Sequence, residues 1–470
     1  MKRYFTLLLL MTLTFRVSAQ IPAALQARLE DTLTTMRDLF NFKGLSAAVA
    51  YKDAGMWKSA RGLSHEGVPL TTDMLIGMGS NTKTFVSAVM LKLVESGQVQ
   101  LTDTIGTWIT GYDNIDGSIT IRQILNHTSG LFSYTESDTY WSMLDEDIYR
   151  MWTADDILSN CIEDPYFAPG TSWQYSNTNY IIAGEIEEQV TGYTVYQLIH
   201  DSIAVPAGLA NTFMPPFETG AASYAHFWSD LVGDEALDDI ADWNDPDASL
   251  LPVEINSSVG AAGALVATAE DVTLFWKALM NGNIISKATL NEKMLSWTGF
   301  GSASSEYGLG VFLTEYSGNT VYAHGGTWLG QINENLSDTV RGIYITVLSN
   351  QDSLRNDYVA EVVAALYKVI LDYDHSLAIS APSYNPSLVK VIPNPFCQEF
   401  RIVLDEAIGG KCTATVSDIA GRVYINASGT AEQINEVLRS ESPRLRAGMY
   451  LLQLAAGNNK TGYSAKIVKY

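Results

Sequence analysis

Strand-like runs sit near both ends of residues 22–372, and the chain between them reads as mostly helical. Residues 45–51 and 56–60 form a strand pair turning at Asp53-Ala54-Gly55. Runs of this kind return late, at 307–316, 319–324 and 342–349. A sheet must then take its strands from the two ends of the stretch, with a helical insert between them. Residues 23–40 have helical spacing. From Ser80 to Gln98 the pattern is helical again: Phe85, Val89 and Leu93 recur every four residues, and Gly97 suits the stop. The reading predicts one α/β or α+β unit over residues 22–372.

Composition narrows the partners. The 470 residues are 47% hydrophobic and 17% charged, a globular balance. A formal net charge of -23 repels phosphate and argues against nucleic acid. Residues 1–19 read as a signal peptide. Lys2 and Arg3 begin it, residues 5–15 are apolar but too short to span a bilayer, and Val17-Ser18-Ala19 fits a cleavage site before Gln20. An uncleaved anchor is the other reading. With no later transmembrane segment, the mature chain is expected to be soluble or surface-attached. Residues 373–390 carry Ser, Pro, Asn and Tyr without periodicity and read as a linker. Residues 391–470 show short alternating runs at 400–404, 413–418, 450–454 and 464–469, which predicts a small all-β sandwich. Residues 230–247 hold eight acids and no base. A solvated loop is the simpler reading, and calcium the other, although the spacing matches no known loop.

The chemistry gathers at three places. Gly77-Met78-Gly79-Ser80-Asn81-Thr82-Lys83 leads into the second helix, so Ser80 and Lys83 share a face one turn apart. There the amine reaches the serine oxygen, and a cation plus a helix start favour its alkoxide. An N-cap serine with a surface lysine is the plain alternative. Ser387-Leu388-Val389-Lys390 repeats the S-x-x-K pattern uselessly in the linker. Tyr175-Ser176-Asn177 lies on a loop before an apolar helix starting at Tyr180. Tyr175 suits a general base if a cation such as Lys83 lowers its pKa, and Asn177 offers an amide to a substrate carbonyl and to the lysine. A buried tyrosine with a turn asparagine is the alternative. His324-Gly325-Gly326 ends a strand, where glycines let a substrate backbone approach. Cys161 reads as an inert buried thiol.

These three blocks, Ser80-x-x-Lys83, Tyr175-x-Asn177 and His324-Gly325-Gly326, resemble the serine penicillin-recognising superfamily. The likeness is strongest to the branch of class C β-lactamases, D-Ala-D-Ala carboxypeptidases, D-aminopeptidases and esterases. Residues 121–131, Phe167-Ala168-Pro169-Gly170, Gly260-Ala261-Ala262-Gly263 and Leu348-Ser349-Asn350-Gln351 add to it. The resemblance implies a β-lactamase/transpeptidase-like fold: a five-stranded antiparallel sheet flanked by helices, plus an all-helical subdomain. It implies Ser80 as acylated nucleophile, Lys83 as activating partner and Tyr175 as base and later proton donor. Asn177, His324, Gly325, Gly326 and Thr327 would bind substrate, with the Ser80 and Thr327 N–H groups as oxyanion hole. It implies no metal and no cofactor. One departure is notable: β-lactamases and carboxypeptidases usually carry lysine at the place of His324, to hold a substrate carboxylate. His127, in His127-Thr128-Ser129-Gly130, reads as a structural turn. A non-catalytic binding protein on the same fold is the rival reading.

The tail carries its own likeness. Val391-Ile392-Pro393-Asn394-Pro395-Phe396, Ser417-Asp418-Ile419-Ala420-Gly421-Arg422, Gly448-Met449-Tyr450-Leu451-Leu452 and Lys466-Ile467-Val468-Lys469 resemble the C-terminal sorting domain of the type IX secretion system. A carbohydrate-binding or adhesive sandwich is the alternative. The likeness implies the type IX machinery as partner and a secreted or outer-membrane-surface location. Cys397 and Cys412 have the chance to pair after export.

Overall fold

The computed structural model describes residues 20–229, 238–240, 253–300, 305–351, 357–380, 389–404, 411–418, 423–456 and 461–469. The expected signal peptide, and all of the acidic segment 230–247 except 238–240, lie outside the described residues. The chain divides into two compact units, Met1–Lys368 and Val369–Tyr470.

The first unit is built on an antiparallel sheet drawn from both chain ends. Strand β1 (Gly44–Tyr51) pairs on one side with β2 (Met56–His65) and on the other with β6 (Ile343–Ser349), Leu45 facing Ser349. The sheet continues through β5 (Gln331–Asp338) and β3 (Asn319–Ala323), while β4 (Gly326–Trp328) also pairs with β5. Strands β1, β2, β3 and β6 are those expected from the sequence, whereas β4 and β5 fall outside the runs read there. Phe312–Tyr316, Ser305–Tyr307 and Val68–Pro69 widen the sheet beyond the five strands implied by resemblance.

Every residue of β1 is buried, because helices cover both faces. Period-2 alternation divides the faces. Trp57 and Ser59 donate to Glu30 of α1 (Ala23–Leu39), at 2.9 and 2.8 Å. Lys58, pointing the other way, pairs with Glu270 of α4 (Ala269–Asn281) at 2.7 Å. Between β2 and the late strands lie the central helix α2 (Thr82–Glu95) and α3 (Thr178–Thr191). Eleven of the fourteen α2 residues are buried, which makes it the axis of the insert rather than a surface helix.

Helix α5 (Asp357–Ser380) runs into the stretch expected as a linker. Its buried positions Val359, Val363, Leu366, Ile370 and Tyr373 keep helical spacing past Asp372, and Pro382 is the first breaker. The linker over 373–390 is therefore helical over its first eight positions, and 381–388 lie outside the described residues.

In the second unit, Val423–Gly429, Cys412–Asp418, Gly448–Ala456 and Thr461–Lys469 form an antiparallel sheet in that order, and Val389–Ile392 pairs with Arg401–Leu404. Both contribute to one core containing Phe400, Ile402, Val416, Leu452 and Ile467. Beside the expected strands stands a helix the sequence reading missed, α6 (Ala431–Glu441). A reciprocal capping box between Thr430 and Gln433 starts it, Ile434 and Leu438 are buried, and Asn435 makes two 2.8 Å bonds to the Ile402 backbone. Few apolar residues mark its face, so only the strand beneath it makes it legible. Cys397 is exposed, Cys412 is buried, and both are free thiols.

Candidate active site

Ser80 lies in a 3-10 turn, Gly79–Asn81, that opens α2. The turn is bolted to the sheet by amides. Asn81 is fully buried and donates to the His324 carbonyl at 3.0 Å and to Asn333 Oδ1 at 3.1 Å. Asn333 in turn donates to the Met78 carbonyl at 2.8 Å. Glycine allows this approach: a Cβ on Gly326 would lie 1.9 Å from Met78 O and 2.8 Å from the Ser80 nitrogen. Gly79, at φ +47°, has its own missing Cβ 2.6 Å from the Thr327 nitrogen. Ser80 and Thr327 both line one small cleft of about 50 Å³, with Gly79, Thr135, Asn177, Val259, Ala262, Gly263 and Trp328.

Lys83 sits beneath the serine. Its Nζ is 2.9 Å from Ser80 Oγ and donates to the Ala262 carbonyl at 2.7 Å. The side chain is fully buried with no carboxylate beside it among the described residues, and burial holds its pKa well below the usual lysine value. The Ala262 contact was not legible: Gly260-Ala261-Ala262-Gly263 stands out in sequence only by resemblance, and a carbonyl ligand has no residue code.

The Tyr175 ring lies 5.0 Å from Lys83 Nζ, and its hydroxyl is buried without a well-formed hydrogen bond. Burial raises the Tyr175 pKa, and the Ser80 hydroxyl offsets this only in part. The sequence reading had Lys83 lowering it. That lowering is not what the structure gives, because burial of the phenol itself penalises the phenolate. Asn177 is placed in the cleft, but its Nδ2 donates to Thr135 Oγ1 at 2.9 Å rather than bridging to the lysine.

His127 holds the tyrosine loop. Its carbonyl accepts from the Gln174 N–H and its Nδ1 from the Ser176 N–H, at 3.1 and 3.2 Å. It has a left-handed φ of +62°, and its ring packs 4.2 Å from the Tyr175 ring. It is the structural turn expected. Cys161 is buried, with its thiol pushed up to about 11 by burial.

His324 departs from expectation as a substrate-binding residue. It is only 2% exposed, and both ring nitrogens are engaged inside the protein. Nδ1 is 2.7 Å from the Gly325 carbonyl and so carries the proton; Nε2 then accepts from the Tyr307 hydroxyl at 3.0 Å. Burial pushes its pKa down to about 3 against the pull of the Gly325 carbonyl. A neutral ring turned inward is no substitute for a carboxylate-binding lysine. Gly325 is constrained from behind, its missing Cβ 2.7 Å from Glu334 Oε2.

This cleft, with a buried lysine under a helix-start serine, sits where the sheet meets the helical insert. Residues 30–368 match the beta-lactamase family model. The chain belongs to the beta-lactamase family. The family is one of serine hydrolases. Residues 390–469 match the secretion system C-terminal sorting domain, which marks the chain for secretion to the surface or beyond. Among the described residues no helix is long and apolar enough to cross a membrane.

Similar proteins include a penicillin-binding protein of Bacillus subtilis (strain 168), 26% identical over 266 residues, covering 56% of this chain and 57% of that one. Esterase EstB of Burkholderia gladioli is 29% identical over 202 residues, 40% of this chain and 51% of the esterase. The chain thus spans little more than half the length of these two relatives. Among solved structures, a D-stereospecific amidohydrolase from Streptomyces sp. superposes with a TM-score of 0.58 at 29% identity, covering 72% of this chain and 97% of that one. The fold of this unit is thus shared with the Streptomyces amidohydrolase.

Proposed function

We propose that this beta-lactamase-family protein is an exported serine hydrolase that cleaves an ester or amide through an acyl-enzyme on Ser80. The observation that carries it is the Lys83 Nζ, fully buried and 2.9 Å from Ser80 Oγ. Burial lowers the pKa of this amine, which favours the neutral form that accepts a proton. Ser80 Oγ attacks the carbonyl carbon as its proton passes to Lys83. The carbonyl oxygen becomes an oxyanion facing the Ser80 and Thr327 amides, worth several kcal/mol where such donors are well placed. Collapse breaks the bond to the leaving group, which takes a proton from Tyr175 as Lys83 re-protonates it. Water then releases the acyl group by the same transfers in reverse. Lys83 is thus the first proton acceptor, and Tyr175, kept protonated by burial, the donor.

The cleft lining contains no charged side chain, and His324 is neutral. This favours esters and D-residue amides without a carboxylate beside the scissile bond over penicillins. Asn177 and Gly326 position the substrate, and residues 390–469 engage the type IX secretion machinery. The rival, a non-catalytic binding protein, is separated by labelling with a fluorophosphonate. One adduct on Ser80, abolished in Ser80→Ala, with hydrolysis of a p-nitrophenyl ester or D-alanine amide, is the expected result. No adduct and no turnover on ester, D-amide or chromogenic β-lactam would leave the binding reading in its place.

A further inference from the structure

A second cavity, of about 280 Å³, lies in the helical insert. Its walls include Trp152, Ile157, Ile181, Met214 and the pair Tyr196–Phe217, whose rings stack at 5.7 Å. The turn Gly260–Gly263 divides it from the Ser80 cleft: Gly260 and Ala261 line this cavity, Ala262 and Gly263 the cleft. Helix α3 adds two carboxylates, Glu185 and Glu188. Glu185 accepts from Gln189 Nε2 at 2.7 Å and Glu188 from the Val195 N–H at 2.8 Å. Neither has a lysine or arginine partner among the described residues. Arg150 lies over the Trp152 ring at 5.1 Å but is paired with Asp156. Trp152 is 3% exposed, and its indole N–H has no hydrogen-bond partner among the described residues.

We propose that this cavity is a ligand site separate from the Ser80 cleft, taking a small hydrophobic amine. The aromatic and aliphatic walls receive the apolar body. Glu188, tied to the backbone yet lacking a cation, receives the ammonium with Glu185. The cavity is near the lower end of ligand-pocket volumes, which limits the ligand to about a single ring with a short arm.

The test needs no turnover. The full chain is labelled with 5-fluorotryptophan, and the Trp152 fluorine resonance is assigned by its loss in Trp152→Phe. Titration with 2-(4-methoxyphenyl)ethylamine should shift that resonance saturably. The neutral alcohol of the same shape should bind at least ten-fold more weakly. Glu188→Gln keeps an oxygen for the Val195 N–H and should weaken the amine by a similar factor while leaving the thermal midpoint near wild type. An unmoved Trp152 resonance would overturn the site. Equal binding of amine and alcohol to the wild-type protein would overturn the assigned ligand class, whatever the folding of the variant.

Discussion

The Tyr307 hydroxyl bonds His324 Nε2 at 3.0 Å, and this contact turns the histidine away from the cleft. The consequence is opposite to that of a lysine in its place. His324→Lys would put an ammonium against Tyr307 and Phe312 with no carboxylate to meet it. The expected cost is on the order of 3 kcal/mol of stability. Acylation by penicillins and by neutral esters should fall together. A selective gain for penicillins, measured by stopped-flow acylation, would show that the new ammonium reaches the cleft.

Two buried groups set opposite limbs of stability against pH. His324 has its folded pKa lowered to about 3 from an ordinary value of about 6.5, so the unfolded chain binds the extra proton. Its contribution is present above about pH 6.5 and is lost as pH falls toward 3. Glu334 is pushed up to about 8 by burial, so its contribution is present below the ordinary glutamate value and is lost as pH rises through 8. Thermal midpoints from pH 4 to 9 should show a flatter alkaline limb in Glu334→Gln and a flatter acid limb in His324→Gln. Limbs unchanged from wild type would assign them to other groups.

Lys83→Arg separates proton acceptance from charge. Guanidinium stays protonated near pH 7 and cannot receive the Ser80 proton. If Lys83 is the acceptor, both Lys83→Arg and Lys83→Met should slow acylation by roughly 10²–10⁴. Rapid-quench adduct formation would measure this, and near-normal rates in the arginine variant would reduce the lysine to a positive charge.

Gly326→Ala should act on the cleft by sterics alone. The added Cβ would stand 1.9 Å from Met78 O, forcing β4 away from the serine turn. Loss of one oxyanion donor alone costs about 10²–10³ in kcat. The drop should appear in kcat for a small ester with KM little changed, and a full-rate variant would place the donors elsewhere.

A chain ending at residue 380 should keep wild-type ester hydrolysis, whereas one ending at 372 cuts through α5. The shorter chain should lose thermal stability, since Tyr373 is buried along the face of that helix. Equal midpoints for the two truncations would show that the last eight helical residues carry no stability.

Much of the architecture was written in local pattern. Period-2 runs at both ends of residues 22–372 required β1 to meet a late strand, and Leu45 faces Ser349 accordingly. Helical spacing from Ser80 placed Lys83 one turn from the serine, so their contact depends on backbone geometry alone. Alternation likewise marked most tail strands. Burial and partnership follow no such local period. The Ala262 carbonyl under Lys83 and the Thr135 hydroxyl beside Asn177 come from segments far along the chain. Helix α6 has too few apolar residues to announce itself, and it is held by Asn435 on the Ile402 backbone. Lys83, Tyr175 and His324 carry the same side chains in any context, and their protonation was assigned in sequence from neighbours along the motif. Tertiary packing removed water from all three, and desolvation penalises whichever form is charged. The sequence by itself therefore determined that Lys83 stands beside Ser80, whereas the folded environment decided what else surrounds the pair and, by removing water, which protonation states are favoured.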